Sequence, residues 1–206
     1  MKIALGNLVH KTIGRHSAFM PINIAYIASY ILDNIFDIEV RIYDDFDKIM
    51  KDINEWDPDV VALSNYCWNS ELSYSLFKYI KNNNLNILTV AGGPDFPENY
   101  DECEKYLLNR KDIDFYVYGE GEKAFLNLIN KYLNLKNINN LKQKKIDGLM
   151  FIDPFSKNII VGDKIERFKK LDVIPSPYLN GLMDSWFDGY HIPSLETTRG
   201  CPFFML

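Results

Sequence analysis

Residues 60–81 read VVALSNYCWNSELSYSLFKYIK, and this stretch decides the fold class. The aliphatic and β-branched run at residues 60–64 predicts a buried strand. A polar and aromatic loop follows. Apolar residues then recur at helical spacing through residues 70–81, with Ser70 as the predicted N-cap. The stretch is therefore a strand–loop–helix unit.

The same unit recurs through the first 134 residues. The predicted strands cover residues 2–5, 38–43, 60–64, 86–91 and 115–118. The predicted helices cover residues 21–35, 46–56, 70–81, 100–108 and 122–133. Such an alternation requires a mostly parallel sheet with helices on both faces. We predict a doubly wound, flavodoxin-like α/β fold with a five-stranded parallel sheet.

The character of the sequence changes after residue 134. Residues 148–152 and 159–161 are spaced to pair as a β-hairpin across the turn Asp153-Pro154. Pro175 and Pro177 then hold the chain extended, as an inter-domain connection would. We predict an α/β domain at residues 1–134, a hairpin appendage with a proline-containing linker at 135–178, and a further short unit at 179–206.

Charge and cysteine content limit the possible partners and location. The 28 acidic and 23 basic side chains give a net charge of -5 and form no basic stripe, so we expect no nucleic-acid partner. No apolar run suits a signal peptide or reaches the roughly 18 residues of a membrane span, so we expect no membrane partner. Three widely spaced cysteines suit a reducing compartment, which predicts a cytoplasmic protein.

Ligands of an open parallel sheet bind at the carboxyl ends of its strands, where loops and helix N-termini converge. That rule selects the loops after four of the predicted strands. A glycine pair at 92–93 would let backbone approach a ligand closely, and the aromatic loop at 65–69 would suit a flat one. The candidate binding residues are Asn7, His10, Ser64, Tyr66, Cys67, Trp68, Asn69, Gly92, Gly93, Pro94, Gly119, Glu120, Gly121 and Glu122.

These residues also have purely structural interpretations. The sequence at 92–94 is compatible with a simple tight turn, and the acidic residues at 119–122 with a helix start near the positive end of its dipole. Tyr66 and Trp68 could belong to the core. His10 and His16, both in the first loop, could be solvated instead of ligating.

Taken in order, the motifs of the chain resemble the N-terminal half of the cobalamin-dependent radical SAM proteins that carry a B12-binding domain. The resemblance is carried by PINIAYIA at 21–28, SNYCWN at 64–69, AGGP at 91–94, YGEGE at 118–122, IDGL at 146–149, LDVIPSPY at 171–178 and ETTRGCP at 196–202.

The resemblance implies that cobalamin lies between the sheet edge and a C-terminal TIM-type barrel, the second partner of the domain. The barrel of the full-length protein would bind a [4Fe–4S] cluster and S-adenosylmethionine through a CxxxCxxC loop. It would generate a 5′-deoxyadenosyl radical for methyltransferase-like or ring-forming chemistry. Ser64 and the glycine pair would line the channel for the cobalamin tail, and residues 66–69 would approach the corrin.

Two departures from the patterns of related proteins shape the expectation. The Asp-x-His-x-x-Gly string that places a histidine on cobalt in many other B12 proteins does not occur, so we expect a displaced lower base and no histidine on cobalt. Cys201 fits the first cluster cysteine as a metal ligand, but Met205 stands at the second position. Residues 179–206 would thus be a truncated start of the barrel, and this chain alone would be catalytically incompetent.

Two other functions remain open at this stage. The first is a stand-alone or degenerate module that carries or senses cobalamin without enzymatic activity. The second is an unrelated flavodoxin-like or nucleotide-binding protein, which the absence of a GxGxxG after the first strand and of a P-loop lysine disfavours.

Overall fold

The computed structural model describes residues 1–11 and 18–199. Its described part contains one seven-stranded sheet in the order β2-β1-β3-β4-β5-β6-β7. The first five strands are parallel, and β6 and β7 continue the sheet in antiparallel pairing. The strands are β1 (Lys2–Gly6), β2 (Glu39–Tyr43), β3 (Val60–Ser64), β4 (Leu88–Gly92), β5 (Phe115–Val117), β6 (Leu149–Ile152) and β7 (Ile159–Val161).

Helices cover both faces of the sheet, which confirms the predicted doubly wound fold. Two of them pack on one face and three on the other. The first pair is α1 (Ile22–Asn34) and α5 (Gly121–Leu135), and the other three are α2 (Phe46–Glu55), α3 (Ser70–Asn83) and α4 (Tyr100–Asn109). A short helix, α6 (Ile138–Leu141), follows α5. None of the helices in the described residues is long and apolar enough to span a membrane.

The sheet has one apolar core on each face, because side chains alternate between the two faces along each strand. Consecutive residues of a strand point to opposite faces. Ile3 and Leu5 therefore pack against α1 and α5, whereas Ala4 between them belongs to the core under α2, α3 and α4. Because both of its faces are buried, a central strand such as β3 is almost wholly apolar. The edge strand β2 is less buried and carries Glu39 and Arg41.

The structure refines two details of the sequence prediction. The hairpin of β6 and β7 is present but belongs to the main sheet, because Val117 and Leu149 pair across β5 and β6. The N-cap of α3 is Asn69, so the prediction of Ser70 as the cap is wrong. Ser70 is the first helical residue, and its buried hydroxyl has no hydrogen-bond partner among the described residues.

Strand order creates a crevice at one edge of the sheet. The chain leaves β1 towards β2 on one side, while β3 lies on the other side of β1. The strand order therefore reverses between β1 and β3, an arrangement called a topological switch point. The loops that follow these two strands diverge there and leave room between the carboxyl ends of the strands. This is the edge at which the sequence predicts a ligand.

The segment after the hairpin packs back onto the α1 side of the domain. Ser29 on α1 donates a hydrogen bond of 2.6 Å to the carbonyl of Pro175 and accepts one of 2.7 Å from Asn180. Ile192 forms a parallel β-bridge with Phe19. These contacts carry the chain back to the carboxyl edge of the sheet, so that residues 195–199 border the crevice.

Candidate ligand-binding site

A cavity of about 540 Å³ lies at the carboxyl edge of the sheet. Its floor is formed by the ends of the parallel strands, with Leu5, Val90 and Val117 among the lining residues. The first turns of α1 and α5 form its walls, and residues 195–199 border it as well. A largely aliphatic cavity of this size is typical of small-molecule and cofactor sites.

Eight of the fourteen candidate binding residues line this cavity. They are Ser64, Tyr66, Gly92, Gly93, Gly119, Glu120, Gly121 and Glu122. The other six do not line it: Asn7, His10, Cys67, Trp68, Asn69 and Pro94. Cys201 and His16 lie outside the described residues.

Asn7 and Asn69 do not line the cavity but form hydrogen bonds with Ser64, which does. The hydroxyl of Ser64 donates a hydrogen bond of 2.5 Å to Oδ1 of Asn7. Nδ2 of Asn69 donates to the same oxygen at 3.2 Å and to the carbonyl of Leu8 at 3.2 Å. Asn69 is fully buried, and its Oδ1 accepts a hydrogen bond from the amide of Tyr66. The two asparagines therefore fix the end of β3 and the loop that follows it.

A flat aromatic surface stands beside the cavity. The rings of Tyr66 and Trp68 stack with their centroids 4.5 Å apart and an interplanar angle of 9°. Trp68 is 58% exposed, so it is not a core residue. Asn23 on α1 donates a hydrogen bond of 3.3 Å to the Tyr66 hydroxyl and so links this loop to the opposite wall.

The turn after β4 requires glycine. Gly93 has a φ of +141°, a conformation that residues with a Cβ rarely adopt, and a Cβ there would collide with the backbone of Asn65. A Cβ on Gly92 would lie 3.2 Å from Cβ of Val117. The two glycines therefore present bare backbone to the cavity.

Charged residues are concentrated on the α5 side. Glu122 is 3% exposed and accepts a hydrogen bond of 2.6 Å from Nη2 of Arg199. Nε of Arg199 donates to Glu196 at 2.9 Å. Burial alone would lower the pKa of Arg199, but the carboxylates of Glu122 and Glu196 outweigh it and raise that pKa above its usual value. Arg199 is therefore a permanent cation within an acidic wall.

Two groups of residues at this site are absent from the fourteen candidates. Asn65 and Tyr116 hold the glycine turn by hydrogen bonds, although neither lines the cavity. Residues 195–199 line the cavity from a position far along the chain. Tyr116 has the pattern of an ordinary buried strand residue, and no local pattern predicts a return of the chain to the cavity.

The family model of the B12 binding domain matches residues 15–129, which contribute most of the cavity. The chain belongs to the B12 binding domain family. This finding confirms the resemblance on which the expected ligand rests. The crevice of this B12 binding domain lies where the switch-point rule places a ligand.

Relatives of this B12 binding domain are much longer proteins. The chain is 35% identical over 156 residues to the cobalamin-dependent radical SAM methyltransferase TokK of Streptomyces tokunonensis, an alignment that covers 71% of this chain and 21% of that protein. It is 31% identical over 153 residues to 2-(S-pantetheinyl)-carbapenam-3-carboxylate methyltransferase of Streptantibioticus cattleyicolor, with the same coverage of 71% and 21%. The chain thus spans about a fifth of the length of these relatives.

A solved structure shares the fold across nearly the whole chain. The cobalamin-dependent S-adenosylmethionine radical enzyme OxsB, with aqua-cobalamin and S-adenosylmethionine bound, matches with a TM-score of 0.68 at 16% identity. The match covers 97% of this chain and 27% of OxsB. The family model and the two sequence relatives show that the chain is a B12 binding domain related to cobalamin-dependent radical SAM methyltransferases.

Proposed function

We propose that the cavity receives the nucleotide tail of cobalamin and that the corrin ring lies over the carboxyl edge of the sheet. The observation that carries this proposal is the glycine-walled cavity at the switch point, built largely from residues that the family model matches. Ser64 and the glycine pair would line the tail, and the loop from Tyr66 to Asn69 would border the corrin. Glu120 and Glu122, with their flanking glycines, would form the far wall.

The residues present fit such a ligand. The tail of cobalamin ends in a flat dimethylbenzimidazole on a sugar phosphate, which needs apolar walls and close approach to backbone. Val90 and Val117 supply the apolar surface, and Gly92 supplies backbone without a side chain. The fit supports the assignment of the cavity to the tail.

Cobalt would carry no histidine from this domain. None of the cavity-lining residues that the structure describes is a histidine, and His10 is exposed away from the cavity. The ring nitrogens of His191 lie 3.0 Å from Asp44 and 2.9 Å from Asp188, so that side chain is already engaged. A nucleotide tail held in the cavity would keep the lower base away from cobalt, so we propose that cobalamin binds with this base displaced.

Catalysis would belong to the whole protein. In a full-length radical SAM enzyme, bound cobalamin would supply methyl-transfer chemistry, and the barrel would supply the [4Fe–4S] cluster and S-adenosylmethionine. Within residues 1–11 and 18–199, no group of three or more His, Cys, Asp or Glu is arranged to hold a metal ion. On the resemblance to these enzymes, we assign binding and orientation of cobalamin to residues 1–134, a connecting role to 135–178, and the start of the barrel, with Cys201 as a cluster ligand, to 179–206. The chain alone is not proposed to catalyse.

Titration with hydroxocobalamin tests the proposal. The purified chain, incubated with hydroxocobalamin and then desalted, should retain a pink chromophore at one equivalent. The Gly92→Val variant should bind far less, because its side chain would fill the channel beside Val117. The matched control is Gly189→Ala, at a turn glycine with φ +79° that does not line the cavity and would bury no new atom. A colourless wild-type protein, or undiminished binding by Gly92→Val, would contradict the assignment.

An EPR spectrum of the Co(II) form tests the coordination. The protein is labelled uniformly with ¹⁵N and the cobalamin is left unlabelled. A triplet superhyperfine pattern would then report the cobalamin base on cobalt, and a doublet would report a protein imidazole. We expect neither pattern.

A further inference from the structure

The turn after β4 is fixed by Asn65, through its backbone and its side chain, and by the side chain of Tyr116, and neither residue lines the cavity. The amide of Asn65 donates a hydrogen bond of 2.7 Å to the carbonyl of Gly92, and its own carbonyl accepts one of 3.1 Å from the amide of Asp95. Nδ2 of Asn65 also donates to the carbonyl of Asp95. The hydroxyl of Tyr116 donates a hydrogen bond of 2.8 Å to the carbonyl of Gly93. Gly92, Gly93 and Asp95 of this turn are therefore each hydrogen-bonded to Asn65 or Tyr116.

Tyr116 reaches the turn from the face of the sheet opposite the cavity. Tyr116 and Val117 are consecutive on β5 and so point to opposite faces. Val117 lines the cavity, whereas Tyr116 belongs to the core under α2, α3 and α4. Its hydroxyl therefore holds the carbonyl of Gly93 towards that core and keeps it from turning into the channel.

The Tyr116 side chain is well fixed in this position. It is fully buried, and its ring stacks on Phe96 with centroids 3.8 Å apart. Nδ2 of Asn65 donates a hydrogen bond of 2.9 Å to the Tyr116 hydroxyl, which leaves the hydroxyl proton for Gly93. Burial raises the pKa of Tyr116, so the hydroxyl keeps that proton well above neutral pH.

We propose that Tyr116, oriented by Asn65, is a positioning residue that sets the glycine turn so that the channel accepts the nucleotide tail of the corrinoid. This inference rests on the proposed function, because it concerns the same channel. It predicts that the Tyr116 hydroxyl contributes to binding of the tail but not to binding of the corrin ring.

A pair of corrinoids separates these two contributions. Hydroxocobalamin carries the nucleotide tail, and aquacobinamide has the same ring without it. Dissociation constants for both are measured by visible absorption on the full chain and on Tyr116→Phe. The variant keeps the ring and removes only the hydroxyl, so we expect its affinity for hydroxocobalamin to fall about fivefold while its affinity for cobinamide stays unchanged.

Tyr106→Phe is the matched control. The Tyr106 hydroxyl also lies within hydrogen-bond distance of Nδ2 of Asn65, at 3.0 Å, but no hydrogen bond links it to Gly93. Its loss should leave the preference for cobalamin over cobinamide intact. Asn65→Ala removes the group that orients Tyr116 and should reproduce the selective loss, which provides a second test should Tyr116→Phe fold poorly.

The outcomes are distinguishable. Equal weakening of both corrinoids by Tyr116→Phe would make the tyrosine a general structural residue and overturn the inference, as would an unchanged affinity for cobalamin. Failure of the wild-type chain to bind either corrinoid would instead overturn the proposed function. If the wild type bound both corrinoids with equal affinity, the tail would contribute nothing to binding, and both the assignment of the cavity to the tail and this inference would be overturned.

Discussion

Nη2 of Arg199 lies 2.6 Å from Oε1 of Glu122, and this contact ties residues 195–199 to the first turn of α5 beside the cavity. The Glu122 side chain is 4% exposed and that of Arg199 is 17% exposed. An ion pair so removed from water is costly to break, because the partner left behind keeps an uncompensated charge. The position of the segment therefore depends on Glu122.

Neutralising Glu122 should loosen this segment. In Glu122→Gln, Arg199 loses its most buried charged partner, and we expect trypsin to cleave after Arg199 about tenfold faster in native conditions. Mass spectrometry of the digest measures the rate. Cleavage after Arg167, whose side chain is 71% exposed, serves as the internal control and should not change. An unchanged rate at Arg199 would mean that other contacts hold the segment.

Two glycine substitutions separate backbone strain from collision. Gly93→Ala should lower the free energy of unfolding by about 3 kcal/mol, because φ +141° is strained for alanine and the new Cβ meets the Asn65 backbone. Gly119→Ala has φ +77° and no atom within 4 Å of the new Cβ, so it should lose only about 1 kcal/mol. Urea denaturation measures both. Equal losses would show that the Asn65 backbone moves aside freely.

Asp114 directly precedes β5 and so lies at the amino ends of the parallel strands, opposite the cavity. We expect its ionisation to make the stability of the protein sensitive to acid. Its carboxylate lies 2.5 Å from Nζ of Lys81 and 3.0 Å from Nζ of Lys142, and all three side chains are largely buried. Asp114→Asn would leave two buried ammonium groups without their carboxylate. We expect a loss of about 4 kcal/mol in the free energy of unfolding at pH 7. Asp47→Asn, at a carboxylate 84% exposed, is the control and should change stability little.

The pH dependence of this loss of stability follows from the direction in which the folded protein shifts the pKa of Asp114. Burial alone would raise the pKa of Asp114, but Lys142 and Lys81 outweigh it and lower the pKa. As pH falls, the unfolded chain therefore takes up this proton before the folded chain does. The stabilisation is complete above the ordinary carboxyl pKa of about 3.9 and is lost as pH falls through the folded-state value. The difference between wild type and Asp114→Asn should therefore shrink below about pH 4 in urea titrations, and a constant difference would contradict the assignment.

The elements that local patterns determine could be predicted from the sequence. The apolar run at β3 and the helical spacing in α3 specify a strand and a helix, and repetition of that unit specifies a parallel sheet. The rule that ligands meet the carboxyl ends of parallel strands then selected Ser64 and Gly92, which do line the cavity.

Contacts set by strand order could not be predicted. Asn7 and Asn69 belong to loops that meet because β1 and β3 are neighbours in the sheet. Their side chains contact Ser64 instead of lining the cavity, and this contact depends on the strand order and not on a local pattern. Tyr116 gave no signal for a similar reason, since its hydroxyl acts on the turn of an adjacent strand. Arg199 reaches Glu122 across 77 residues of sequence, a distance over which hydrophobic periodicity carries no information.

The N-caps of α3 and α4 provide a final prediction, because both are asparagines in different surroundings. Asn99 is exposed, and its side chain accepts hydrogen bonds from the amides of Asp101 and Glu102, so Asn99→Ala should cost about 1 kcal/mol, the ordinary value of a cap. Asn69 is fully buried and makes no such cap bond.

Asn69→Ala should cost about 3 kcal/mol, because it leaves the Tyr66 amide and the Leu8 carbonyl buried without their partners. It also removes the hydrogen bond of 3.3 Å from Nδ2 of Asn69 to the Ser64 hydroxyl and leaves only the bond to Asn7, so the affinity for hydroxocobalamin should fall together with stability. In Asn99→Ala the affinity should stay unchanged. Urea denaturation and a corrinoid titration on both variants measure the two effects. Equal stability losses, or a loss of affinity in both, would mean that Asn69 acts as a helix cap and not as the support of the end of β3.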